Sequence, residues 1–195
     1  MENHQRINER LYSSLQDTLE STSENCRPKR SIIDLDLRRM DLRLDEEKSR
    51  KISSEIKKLL EMFELYRPDI KYVQGMSYLS WILLIRLNPY QAFYCFCNLI
   101  LSDPFVFALY SFNETKIKTI VGFFEECLKD KKPKLFKHMS ELGVDTELFI
   151  IEWAYTLYSR AFSLRIVSKI WDLWFSEGYN TFYKVAMTIF EVIES

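Results

Sequence analysis

Apolar residues return every three or four positions along almost the whole chain. Ile7, Leu11, Leu15 and Leu19 repeat every four residues, and Ile52, Ile56, Leu59 and Phe63 continue the pattern. So do Ile117, Val121, Phe124 and Leu128, then Val167, Ile170, Trp171 and Trp174, and finally Phe182, Val185, Ile189 and Ile193. That period places each set on one face of an α-helix. No alternating run bounded by hairpin turns interrupts it, so a sheet is not expected.

Punctuation between the periodic segments sets their limits. Ser-Thr-Ser and then Cys26-Arg27-Pro28 close the first helix, and Arg67, restricted by the proline after it, stops a helix running from about residue 45 to residue 65. Gln74 falls at the start of an apolar helix reaching about Leu87, and Asn88-Pro89 and Ser102-Asp103-Pro104 each open another. Asn113 caps the next, Lys131-Lys132-Pro133 breaks it, and Gly143 ends the short one after that. Thr146 caps a helix with Trp153 and Leu157, and Ser163 caps one that Gly178 follows. Residues 31–40 are mixed in character and fit a turn or a brief helix. The expected fold is an all-α, irregular multi-helix array without a solenoid repeat. The final amphipathic helix stops at Ser195, which leaves open a truncation removing a C-terminal partner for its apolar face.

With 195 residues, 47% apolar and 15% aromatic, the chain has material for one sizeable core. Lys plus Arg number 27 against 28 Asp plus Glu, a balance unlike the basic footprint of a nucleic-acid binder. Cys26, Cys95, Cys97 and Cys127 form no CxxC pair, and His4 and His138 lie far apart, so no metal site is expected. The cysteines read as reduced packing residues of a cytosolic protein. The opening MENHQRINER is polar rather than a signal peptide, and MSYLSWILLI and AFYCFCNLIL are about half the ~20 residues of a membrane span.

Two segments carry the functional information: SIIDLDLRRM (31–40) and YRPDIKYVQGM (66–76). The first offers a permanent cation with a planar fork of donors, the second an uncharged amide that donates and accepts at once. With no nucleophile or metal cluster beside them, these groups suit charge stabilisation and water positioning, as in phosphoryl transfer to water. Each segment alone is weak. An Asp and an Arg three apart commonly form a surface ion pair, and a glycine after a polar residue often only turns the chain.

Taken together and in this order, they resemble the TBC domain, the family of GTPase-activating proteins for Rab GTPases. Ile33, Asp36 and Arg39 match its IxxDxxR motif, and Tyr72, Gln74 and Gly75 its YxQG motif. Residues 148–178, with Trp153, Trp171, Asp172 and Gly178, resemble a third stretch. Counting from Ile33 and Asp36 selects Arg39 over its neighbour Arg38. Met40 stands where the family usually has threonine. The resemblance covers residues 31–195 as the TBC domain, with residues 1–30 an N-terminal helix and linker packed on it.

The resemblance implies a GTPase activator, not itself an enzyme, acting on a Rab-family GTPase in its GTP form. The partner carries the GTP and Mg2+, and this chain needs no cofactor of its own. Arg39 would stabilise charge on the phosphate oxygens and Gln74 would orient the attacking water. Ile33, Asp36, Tyr72 and Gly75 would support them: Asp36 by holding the arginine segment, Tyr72 beneath the glutamine, Gly75 by allowing close backbone approach. Trp171-Asp172 reads as core. The implied setting is vesicle trafficking, with a cytoplasmic protein reaching endomembranes through its lipidated partner. Met40 and the open C-terminus keep a rival in play, a TBC-fold scaffold that docks a GTPase without accelerating hydrolysis. A helical enzyme using Asp, Cys or His finds no support in the spacing.

Overall fold

Helix ends in the three-dimensional structure follow the caps and prolines. The computed structural model describes residues 7–21, 32–42 and 44–194, and His4, Cys26 and Ser31 lie outside the described residues. Among the described residues there are eleven helices and no strand. The chain divides into two compact units, Met1–Asp103 and Pro104–Ser195.

The first unit holds α1 (Glu9–Ser21), α2 (Ile32–Arg39), α3 (Glu46–Tyr66), α4 (Met76–Leu84) and α5 (Pro89–Ser102). Polar side chains open the helices. Asn8 Oδ1 accepts from the Leu11 N–H, Asp45 Oδ1 from Lys48 and Asn88 Oδ1 from Gln91, each at 2.9 Å. Helix α3 is the spine, with Ile56, Leu59, Leu60, Met62 and Phe63 buried. It packs against α4 and α5, where Phe63 meets Phe96 edge to face at 5.2 Å. Helix α1 lies along α3, and its Tyr12 ring meets Tyr90 at 5.3 Å and Phe93 at 5.6 Å. Helix α4 ends at Leu84, short of the expected Leu87. The chain instead tightens into a turn, in which the Arg86 and Leu87 N–H groups both donate to the Leu83 carbonyl. Asn88 can then take the extended conformation its capping role requires.

The second unit holds α6 (Pro104–Tyr110), α7 (Glu114–Lys131), α8 (Pro133–Glu141), α9 (Glu147–Thr156), α10 (Leu164–Glu177) and α11 (Asn180–Glu194). Asn113 caps α7, accepting from the Lys116 N–H at 3.1 Å. Thr146 does not cap α9. Its hydroxyl donates to Glu125 Oε1 at 2.7 Å, and Asp145 Oδ1 accepts from the Glu147 N–H instead. Leu157 lies beyond α9, in a left-handed conformation shared with Tyr158. Two bonds fix this reversal: Trp171 Nε1–H donates to the Leu157 carbonyl at 3.2 Å, and the Tyr158 hydroxyl donates to the Phe182 carbonyl at 2.7 Å. Trp171 is buried as expected, but Asp172 is exposed, because the core face of α10 is Val167, Ile170, Trp171 and Trp174.

The stripe read on α11 holds at Phe182, which is buried, and in part at Val185 and Ile189, which are half-buried. Phe182, Ala186, Met187 and Phe190 are buried, whereas Ile193 is 68% exposed. Phe190 reaches Phe149 at 5.6 Å and Phe124 at 5.9 Å, so aromatic packing places Phe190 in the core and leaves Ile193 outside it.

Cys95, Cys97 and Cys127 are free thiols, and burial pushes Cys95 and Cys97 toward the protonated, unreactive form. Of these three described cysteines, only Cys97 is fully buried. No single helix among the described residues is long and apolar enough to cross a membrane.

Candidate functional site

Helix α3 ends at Arg67, whose N–H donates to the Phe63 carbonyl at 2.7 Å, and Pro68 forbids continuation. The Arg67 carbonyl then accepts from the Ile70 N–H at 3.1 Å and the Lys71 N–H at 3.0 Å, reversing the chain. The reversal is clamped by the buried Arg67 guanidinium, which holds Asp69 with both arms, Nε to Oδ1 at 2.8 Å and Nη2 to Oδ2 at 2.6 Å. That fork lowers the Asp69 carboxyl to about 2. A folded value below the unfolded one means stability present above the ordinary carboxylate pKa and lost on acidification. Denaturation midpoints followed downward in pH should therefore fall between about pH 4 and pH 2, with a smaller fall in Asp69→Asn.

Past the reversal, the Tyr72 N–H donates to Glu64 Oε1 at 3.1 Å, anchoring the second motif to the end of α3. Gly75 occupies the N-cap position of α4 at φ 102°, ψ −24°. A side chain there costs roughly 1–2 kcal/mol, so glycine lets Gln74 stand outside a helix that turns directly into the core.

Helix α2 is eight residues long, too short to persist unaided, and three ties hold it. Ile33 is 2% exposed and enters the core. Lys57 of α3 pairs with Asp34 at 2.7 Å. Asp36, itself buried, turns onto the second motif: its Oδ2 accepts from the Tyr72 hydroxyl and, at 2.6 Å, from the Ser77 hydroxyl of α4. Burial first, then the bond to Asp36, pushes the Tyr72 hydroxyl pKa upward, so it stays a donor. Asp36 thus forms no ion pair with Arg39 among the described residues, and the surface-pair reading of the first motif does not apply.

One carboxylate oxygen therefore joins the two motifs. Ser77 escaped the sequence reading, since neither of the two serines in MSYLSWILL carries a signal of its own. The structure brings Asp36, Tyr72 and Ser77 together, seats Ile33 in the core beneath them and puts Gly75 at the head of α4.

Arg39 and Gln74 behave oppositely. Both are exposed, and neither side chain makes a hydrogen bond or ion pair among the described residues. At 3.6 residues per turn, Arg39 lies about 60° around α2 from Asp36 and Arg38 about 160° away. Arg39 is consequently the arginine on the side of α2 nearer the second motif. Met40 is half-buried, its N–H donating to the Leu37 carbonyl at 3.3 Å.

The architecture is an all-α helical array in which one buried acceptor, Asp36, joins the two segments that carry the exposed Arg39 and Gln74. The chain belongs to the Rab-GTPase-TBC domain family, whose family model matches residues 1–195. TBC1 domain family member 14 of Rattus norvegicus is 32% identical over 136 residues, 70% of this chain and 20% of that protein. TBC1 domain family member 12 of Xenopus tropicalis is 31% identical over the same shares of the two chains. Drainin of Dictyostelium discoideum is 30% identical over 138 residues, 71% of this chain and 31% of its own length. The chain thus spans about a fifth of the length of the first two. The crystal structure of the Chlamydomonas flagellar RabGAP TBC domain shares the fold: TM-score 0.77 at 19% identity, over 96% of this chain and 61% of that one.

Proposed function

We propose that this chain accelerates GTP hydrolysis by a Rab-family GTPase in its GTP form, lending Arg39 and Gln74 to the partner's nucleotide pocket. The supporting observation is a contrast. Of the six motif residues, Ile33, Asp36, Tyr72 and Gly75 are buried or half-buried, while Arg39 and Gln74 are exposed and have no side-chain partner among the described residues.

GTP and Mg2+ belong to the partner in this reading. The Arg39 guanidinium, permanently charged, presents its fork to the non-bridging oxygens as negative charge builds. The Gln74 carboxamide accepts from the attacking water and donates toward a phosphate oxygen, holding the nucleophile in line. Asp36, Tyr72 and Ser77 touch neither water nor phosphate. They are positioning residues that keep the two groups in register. A scaffold that docks without accelerating has Met40 in its favour, since an apolar side chain follows Arg39 where the family usually has threonine.

The test is single-turnover hydrolysis across a panel of GTP-loaded Rab GTPases. Acceleration of at least one member is expected, and Gln74→Ala should reduce it by about 10²–10³, the scale of losing one preorganised polar group. Binding without acceleration across the panel would establish the scaffold instead.

A further inference from the structure

Helix α2 exposes two large apolar residues, Ile32 at 68% and Leu35 at 41%. Their positions are not scattered. Measured around the helix from Asp36, Ile32 lies at about −40°, Arg39 at about −60° and Leu35 at about −100°. The buried residue Ile33 and the half-buried Leu37 occupy the other side, at about +60° and +100°. Arg39 therefore lies within an apolar stripe, roughly 10 Å below Ile32 along the axis at 1.5 Å per residue.

A guanidinium works on a partner's phosphate only when inserted, so the helix face that carries it must be covered in the complex. Single exposed apolar residues need no explanation, but two flanking on one face an arginine that has no side-chain partner among the described residues do. We infer that Ile32 and Leu35 are the apolar anchors of this interface, seating α2 on an apolar patch that the GTPase presents beside its nucleotide. This rests on the activating role proposed above and adds a division of labour. Ile32 and Leu35 supply affinity, present equally in ground and transition states, and Arg39 supplies rate.

The experiment compares wild type, Ile32→Ala/Leu35→Ala, Leu35→Met and Arg39→Ala in steady-state hydrolysis with a Rab that the wild-type chain stimulates. Thermal denaturation of each free chain is followed in parallel. The double variant should raise KM about tenfold and leave kcat within about twofold, as expected for losing interface anchors. Leu35→Met, which keeps the apolar area, should stay within about twofold of wild type in both constants. Arg39→Ala should show the reverse split. An unchanged KM in the double variant overturns the inference while leaving the activating role intact. So does a lowered melting temperature with KM unchanged, which would mean that the face packs within this chain. A panel in which no Rab is stimulated or bound overturns both readings.

Discussion

Arg39→Ala should lower stimulated GTP hydrolysis by about 10³–10⁵, the range that an arginine supplied in trans contributes to phosphoryl transfer. This corresponds to about 4–7 kcal/mol of barrier. The loss should appear in single-turnover rates at saturating activator, so that binding does not enter. Arg39→Lys should remain near the alanine level, because an ammonium is a point charge and cannot place two donors on two oxygens in one plane. Arg38→Ala serves as the internal control: its position on the far side of α2 from Asp36 predicts near-normal rates. Near wild-type stimulation by Arg39→Ala on a responsive Rab would remove the assignment.

Asp36→Ala should be the most damaging change to the first unit itself. It leaves the half-buried Tyr72 hydroxyl and the buried Ser77 hydroxyl without their shared acceptor. Each orphaned donor costs about 1–3 kcal/mol, giving a total of roughly 2–6 kcal/mol. Urea denaturation measures this directly. Asp36→Asn keeps a carbonyl oxygen available and should cost less. Activity should fall in both variants although Arg39 and Gln74 are untouched, because a misplacement of about 1 Å can cost about 10²-fold. A double-mutant cycle of Asp36→Asn with Tyr72→Phe isolates the coupling: independent effects would add, whereas a shared bond makes the second change nearly silent.

Much of this architecture is written locally. Asn88-Pro89 and Asn113 predict their helix starts because a cap needs only its own next three residues. Arg67-Pro68 predicts the end of α3 for the same reason. What is not written locally has tertiary causes. Residues 31–40 fit a turn or a brief helix, and the brief helix α2 forms because Ile33, Asp34 and Asp36 each find a partner elsewhere in the first unit. On α11 the periodic stripe locates Phe182 but not Phe190, which is buried because its ring partners lie on other helices. The two motifs were legible as a resemblance, but their junction was not. Nothing in the spacing indicates that Ser77, 41 positions along the chain from Asp36, donates to it.

Because Arg39 and Gln74 are exposed and make no hydrogen bond or ion pair among the described residues, replacing them should leave the fold standing. A chain carrying alanine at both would keep its shape and its grip. It would act as a decoy, occupying a loaded switch protein and prolonging the signal that the intact chain is proposed to extinguish.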